Sequence, residues 1–115
     1  MKKKNPYKLT FYWKTESKIS TSKCAIRNKR IKGISSNFIN RPKVKSFIFS
    51  RDNFSCLYCN SQEHLTIDHI IPVGSLYNEN LKADFIIGKL LEINSLENLQ
   101  TLCLPCNVRK SNGTT

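Results

Sequence analysis

Four of the five cysteines form two identical pairs, Cys56-Leu57-Tyr58-Cys59 and Cys103-Leu104-Pro105-Cys106, leaving Cys24 alone. Two residues between cysteines let both sulfurs of a tight turn face one tetrahedral ion. Two such knuckles supply the four thiolates of a closed structural Zn²⁺ site. One pair alone would equally suit a redox motif. The odd cysteine count argues against a secreted disulfide framework, and free thiolates belong in a reducing compartment. Cys24, with no partner, is expected to be a small buried apolar residue. The 43 residues separating the knuckles (60–102) exceed what a compact zinc ribbon needs, so something folds between the two halves of the site.

Three further residues carry chemistry. Asp68-His69 stands shortly before the break at Pro72, and Asn107 follows the last cysteine of the second knuckle. Aspartate and asparagine offer hard oxygen ligands for Mg²⁺ or Mn²⁺, ions that keep waters and substrate phosphate in their shell. His69, neutral near pH 7, can take a proton from an attacking water. His64 has no matching role and reads as structural or surface.

The elements that must position these residues follow from periodicity. Pro42 suits the first turn of a helix running to about Arg51, with Val44, Phe47 and Ile48 on one face. Asp52-Asn53 turns the chain into the first knuckle. His64–Ile67 alternates and predicts a short strand ending at Asp68-His69, which Pro72 and Gly74 break. Residues 78–93 read as a helix, with Leu81 and Phe85, and Ile86, Leu90 and Ile93, at helical spacing. Ser95 to Asn98 makes a turn, Leu99–Leu102 a second strand, and the residues after Cys106 a terminal helix stopped near Gly113. The order is knuckle, strand, long connection, strand, knuckle, helix. A metal at the knuckles would clamp the hairpin to the helix and bring Asp68, His69 and Asn107 together.

These residues resemble the HNH endonucleases, the ββα-metal nucleases, in their four-cysteine zinc form. The resemblance is carried by Asp68-His69-Ile70-Ile71-Pro72, by Glu97-Asn98-Leu99-Gln100, and by Cys103-Leu104-Pro105-Cys106-Asn107-Val108-Arg109-Lys110. The lead-in from Phe49 to Cys59 is similar as well, and the whole spans about residues 47–112. The resemblance implies a small α+β fold, a ββα-metal core stapled by Cys56, Cys59, Cys103 and Cys106 around zinc. It implies His69 as general base, Asp68 and Asn107 as ligands of a catalytic Mg²⁺ or Mn²⁺, and Asn98 as the residue that orients the base and steadies its loop. Asn94 is a rival for that last role, but only Asn98 has the Glu-Asn-Leu context. Lys110 matches a basic residue common after the motif and, with Arg109, is expected to touch phosphate. The implied reaction is hydrolysis of a DNA phosphodiester to 5′-phosphate and 3′-hydroxyl ends. The connection from Ser75 to Asn94 is longer than the minimal family loop; it either shapes substrate access or thickens a small core.

Charge points to the same partner. Residues 1–50 carry 14 basic side chains against Glu16, whereas residues 51–115 sum to −2, giving +11 over the 115 residues. A basic segment joined to a near-neutral one suits phosphate binding through counterion release. Residues 1–45 are therefore expected to form a basic N-terminal arm on DNA, with at most one or two strands (Leu9–Trp13 and Lys18–Arg27) and a basic turn at 29–33. Lys29, Arg30 and Lys32 of that turn are its expected contacts. Residues 46–115 are, by the same resemblance, expected to form the nuclease domain. A chain of this size has a thin core and benefits from a metal staple. No apolar run reaches membrane-spanning length and no signal core follows Lys2-Lys3-Lys4, so the expected setting is cytoplasmic, in a bacterium or phage-infected cell. One site hydrolyses one strand, and a homodimer is the simple route to cutting both. The reading from another class is a zinc-ribbon nucleic-acid-binding module without catalysis, which has no physical reason to carry Asp68, His69 and Asn107 together.

Overall fold

A computed structural model describes residues 5–11, 13–21 and 23–111. These form α1 (Trp13–Thr21), α2 (Cys24–Ile39), α3 (Pro42–Arg51), β1 (Leu65–His69), α4 (Ala83–Ile93), β2 (Leu99–Cys103) and α5 (Leu104–Ser111). Short 3-10 turns, Val73–Leu76 and Leu96–Asn98, lead away from β1 and into β2. The two strands pair antiparallel, with Leu65 opposite Cys103, Asp68 opposite Gln100 and His69 opposite Leu99. The protein is a small α+β fold. No described helix is long and apolar enough to cross a membrane.

Both strands, the Pro42–Arg51 helix and the turn before β2 lie where the sequence places them, within a residue. Pro42 occupies the first turn of α3, where a missing N–H costs nothing, and Val44 and Ile48 are fully buried. Phe47 instead stays 41% exposed and meets the Tyr7 ring at 5.4 Å.

The first forty residues differ from expectation. Trp13–Thr21 and Cys24–Ile39 are helical, with no strand among the described residues, and residues 29–33 lie inside α2 instead of forming a turn. Arg27, Ile31, Ser35 and Phe38 make a buried stripe of helical period along α2. The alternation near Lys18–Arg27 misleads because it straddles the end of α1 and the start of α2. Cys24, at the start of α2, is half-buried.

α4 also begins later than residue 78. Asn78 Oδ1 accepts from the Asn80 N–H at 2.9 Å, and the carbonyls of Asn78 and Leu81 accept from the Arg27 guanidinium at 2.9 and 3.2 Å. That local turn and the buried arginine take up backbone groups a longer helix would have used. α5 starts at Leu104, so Cys106 sits inside its first turn; the expected stop at Gly113 lies outside the described residues.

The core is shared along the chain. Leu9, Ile19, Ile31 and Phe38 pack in one cluster with Val44, Ile48, Ile67, Leu76, Ile86, Leu90, Ile93 and Leu99. A second cluster of Cys56, Leu102, Cys103 and Cys106, with Leu65 against it, surrounds the knuckles.

Candidate metal centre and active site

The four knuckle sulfurs lie within 4.8 Å of one another, with Cys59 and Cys103 at 3.6 Å. Zinc–sulfur bonds of about 2.3 Å in a tetrahedron separate the sulfurs by about 3.8 Å, so the cluster fits a structural zinc ion. Backbone bonds shape it. Asn60 N–H donates to the Cys56 carbonyl and Cys56 N–H to Ser61, both at 2.8 Å, closing the first knuckle through a left-handed Asn60. Leu57 N–H donates to Thr101 of β2 at 3.0 Å, and Leu104 N–H to His64 at 2.8 Å, so each knuckle is tied to the other's strand. His64 is exposed, and its carbonyl sets the start of α5.

Burial opposes ionisation of Cys56, but backbone N–H groups of Cys103, Cys59 and Tyr58 converge on it and bring its thiol down to about 6. Around Cys103, a backbone N–H from Cys106 favours the thiolate. Burial and the neighbouring sulfurs outweigh it and push this thiol up. Four crowded thiols cannot all ionise unaided, and a divalent cation resolves that conflict. Arg109 donates to Cys106 Sγ at 3.1 Å, where its positive charge offsets the excess negative charge of four thiolates around one ion.

α3 positions the centre from below. Arg51 donates to the carbonyls of Leu96 and Leu99 at 2.9 and 2.6 Å and pairs with Asp52 at 3.0 Å. Asp52 Oδ2 accepts from Thr101 N–H at 2.9 Å. Burial works against the Asp52 carboxylate, but Arg51 and the Thr101 donors outweigh it and hold its pKa below the usual value.

On one face of β1, Asp68 is 8% exposed and accepts from its cross-strand neighbour Gln100 at 2.8 Å. Lys110 of α5 pairs with Asp68 Oδ2 at 3.1 Å and donates to the His69 carbonyl at 2.9 Å. One turn earlier on α5, Asn107 Nδ2 donates to Thr66 Oγ1 at 2.8 Å. Thr66 spends its hydroxyl proton on the Leu102 carbonyl at 2.8 Å, so it can only accept from Asn107. Asn107 thus keeps its amide oxygen, with no partner among the described residues. A carboxylate and a free amide oxygen on one face are a donor set a hard divalent cation accepts.

A model of the HNH endonuclease family matches residues 56–113, half the chain. The chain belongs to the HNH endonuclease family. No curated protein and no solved structure proved significantly similar to it.

In this HNH chain the His69 ring turns to the other face of β1, where Nε2 meets Asn94 Oδ1 at 2.8 Å. Burial of the ring disfavours its charged form and lowers its pKa; Asn94 and Asp68 oppose that shift without reversing it. The Asn98 side chain makes no hydrogen bond to the His69 ring. Its Oδ1 accepts from Ile71 N–H at 2.8 Å, its Nδ2 donates to the carbonyls of Ile71 and Ile93 at 3.1 and 2.8 Å, and its carbonyl accepts from Ile70 N–H at 2.8 Å. It fastens the loop that leaves β1, while the ring itself is held by Asn94.

Asn94 is the lesser candidate by sequence context, and no motif in the sequence assigns a role to Thr66, Gln100 or Ser35. A signal existed for Thr66, which is two residues before Asp68 and so on the same strand face. Lys29 and Lys32 are exposed on α2, and Arg30 donates to the Lys18 carbonyl at 2.9 Å.

Proposed function

We propose that this HNH-family chain hydrolyses phosphodiester bonds of DNA, with His69 as general base and Asp68 and Asn107 as ligands of one Mg²⁺ or Mn²⁺. When bound there, the divalent ion supplies charge neutralisation at the phosphate and at the departing oxygen. Asp68 provides the charged ligand, kept in place by Gln100 and Lys110. Asn107 provides a neutral oxygen, aimed by its bond to Thr66. His69 accepts the proton of the attacking water on the ring nitrogen that Asn94 leaves free.

The observation that carries this reading is the division of labour at the end of β1. A base leaves the strand on one side and hard oxygen ligands on the other. In-line displacement places the attacking water and the leaving oxygen on opposite sides of the phosphorus, so the base and the ion act on different oxygens of one phosphate lying across the end of the strand. The knuckle cluster serves as a structural zinc staple, which suits a reducing cytoplasm, bacterial or of a phage-infected cell. Lys29 and Lys32 on α2, with the other lysines of residues 1–45, contact the DNA backbone. Each chain offers one site and cuts one strand; cutting both uses a second copy.

The Asp68–Lys110 ion pair favours a second reading, a non-catalytic DNA-binding module in which that pair is structural. Supercoiled plasmid incubated with the zinc-loaded chain separates the two. Nicking that needs Mg²⁺ or Mn²⁺ supports the nuclease. Tight DNA binding without cleavage under either ion overturns it.

A further inference from the structure

His69 does not hold its orientation alone. Asn94, 1% exposed at the C-terminal cap of α4, donates from Nδ2 to the Leu90 carbonyl at 3.1 Å and to Ser35 Oγ at 3.0 Å. A carbonyl oxygen can only accept, so the amide nitrogen must face Leu90 and the amide oxygen must face His69. An oxygen facing Nε2 at 2.8 Å requires the ring to carry its proton there. The neutral ring then has its lone pair on Nδ1. Ser35 is 2% exposed and lies on α2, 59 residues before Asn94 and well outside the stretch that matches the HNH family.

We infer that Asn94 and Ser35 are positioning residues for the base: a buried relay from α2 through the cap of α4 fixes the tautomer and orientation of His69. α2 is thereby part of the catalytic machinery's support. A ring free to exchange tautomers would spend part of its time with no acceptor toward the water, and a ring free to rotate would lose its alignment. This inference rests on His69 being the base, but its structural half can be read without cleavage.

Long-range ¹H–¹⁵N correlation on the zinc-loaded full chain, at a pH where imidazole is neutral, reports which nitrogen bears the proton. The wild-type His69 shows the Nε2–H pattern, and Asn94→Ala shows a mixture. In plasmid cleavage Asn94→Ala lowers kcat by roughly 100-fold with KM little changed, the scale of a misaligned catalytic group. Ser35→Ala keeps the Leu90 bond and loses one acceptor; it lowers kcat by about fivefold, the worth of one neutral hydrogen bond, again with KM unchanged. If Asn94→Ala fails to fold, the wild-type tautomer and the Ser35→Ala kinetics still decide. A wild-type Nδ1–H ring, an Asn94→Ala ring with unchanged tautomer, or a Ser35→Ala loss confined to KM overturns the inference. A changed tautomer with unchanged cleavage upholds the relay and removes His69 from the role of base.

Discussion

Asp68 and His69 are consecutive residues of β1 whose side chains leave the strand on opposite faces, Asp68 toward Lys110 of α5 at 3.1 Å and His69 toward Asn94 of α4 at 2.8 Å. A single peptide unit thus separates a candidate metal ligand from a candidate base, each supported by its own helix. Their substitutions are expected to separate as well. Asp68→Asn abolishes saturable Mn²⁺ binding at the second, non-zinc site, whereas His69→Ala leaves it within about twofold of wild type. Calorimetric titration of the zinc-loaded chains measures this. Equal loss in both variants would contradict the assignment.

The Lys110 ammonium lies against the carboxylate that a divalent ion would bind. Two cations compete for one buried charge, so Lys110→Met is expected to tighten Mn²⁺ binding by several-fold, on the order of the screened attraction between neighbouring charges. The same titration reads it. Weaker binding in Lys110→Met would show that the lysine organises the site without competing.

Removing one knuckle ligand acts on the fold. Cys103→Ser leaves three sulfurs around the ion and is expected to release zinc at a destabilisation on the order of 3 kcal/mol or more, because metal binding contributes directly to folding in such small sites. Cys24→Ser, outside the cluster, keeps one zinc per chain. Metal content and thermal unfolding of the two variants together check the assignment; a zinc-replete, stable Cys103→Ser chain would refute it.

Asp52 gives the fold an acid-sensitive link between α3 and β2. Its pKa lies below the ordinary carboxylate value of 3.8, so its contribution is fully present above that value and is lost as pH falls through the folded-state pKa. Asp52→Asn is expected to cost about 1–2 kcal/mol near neutrality, with the gap to wild type closing below that ordinary value. Denaturant unfolding across pH measures the gap, and acid release of zinc is common to both chains. A gap that persists unchanged into acid would contradict the role.

Local patterns made most of the site legible. The paired knuckles, the alternation into Asp68-His69 and the Glu-Asn-Leu turn are short-range signals, and each element they mark lies within a residue of expectation. Contacts between distant elements were not legible. Nothing near Asn94 announces that Ser35, 59 residues earlier, faces it. Arg27 likewise reads as one more surface cation until α2 turns it inward onto the carbonyls before α4. The basic composition of residues 1–45 hid a helical stripe whose apolar members are spaced by lysines that stay at the surface.

On the proposed mechanism His69 moves a proton during phosphodiester hydrolysis while taking no part in the zinc-stapled fold. Initial rates of Mg²⁺- or Mn²⁺-dependent plasmid nicking by wild type and His69→Ala, at matched zinc content and matched unfolding midpoints, test it most directly. The expected nicking rate of His69→Ala is lower by roughly 100-fold or more. An alanine variant that nicks at the wild-type rate would contradict it.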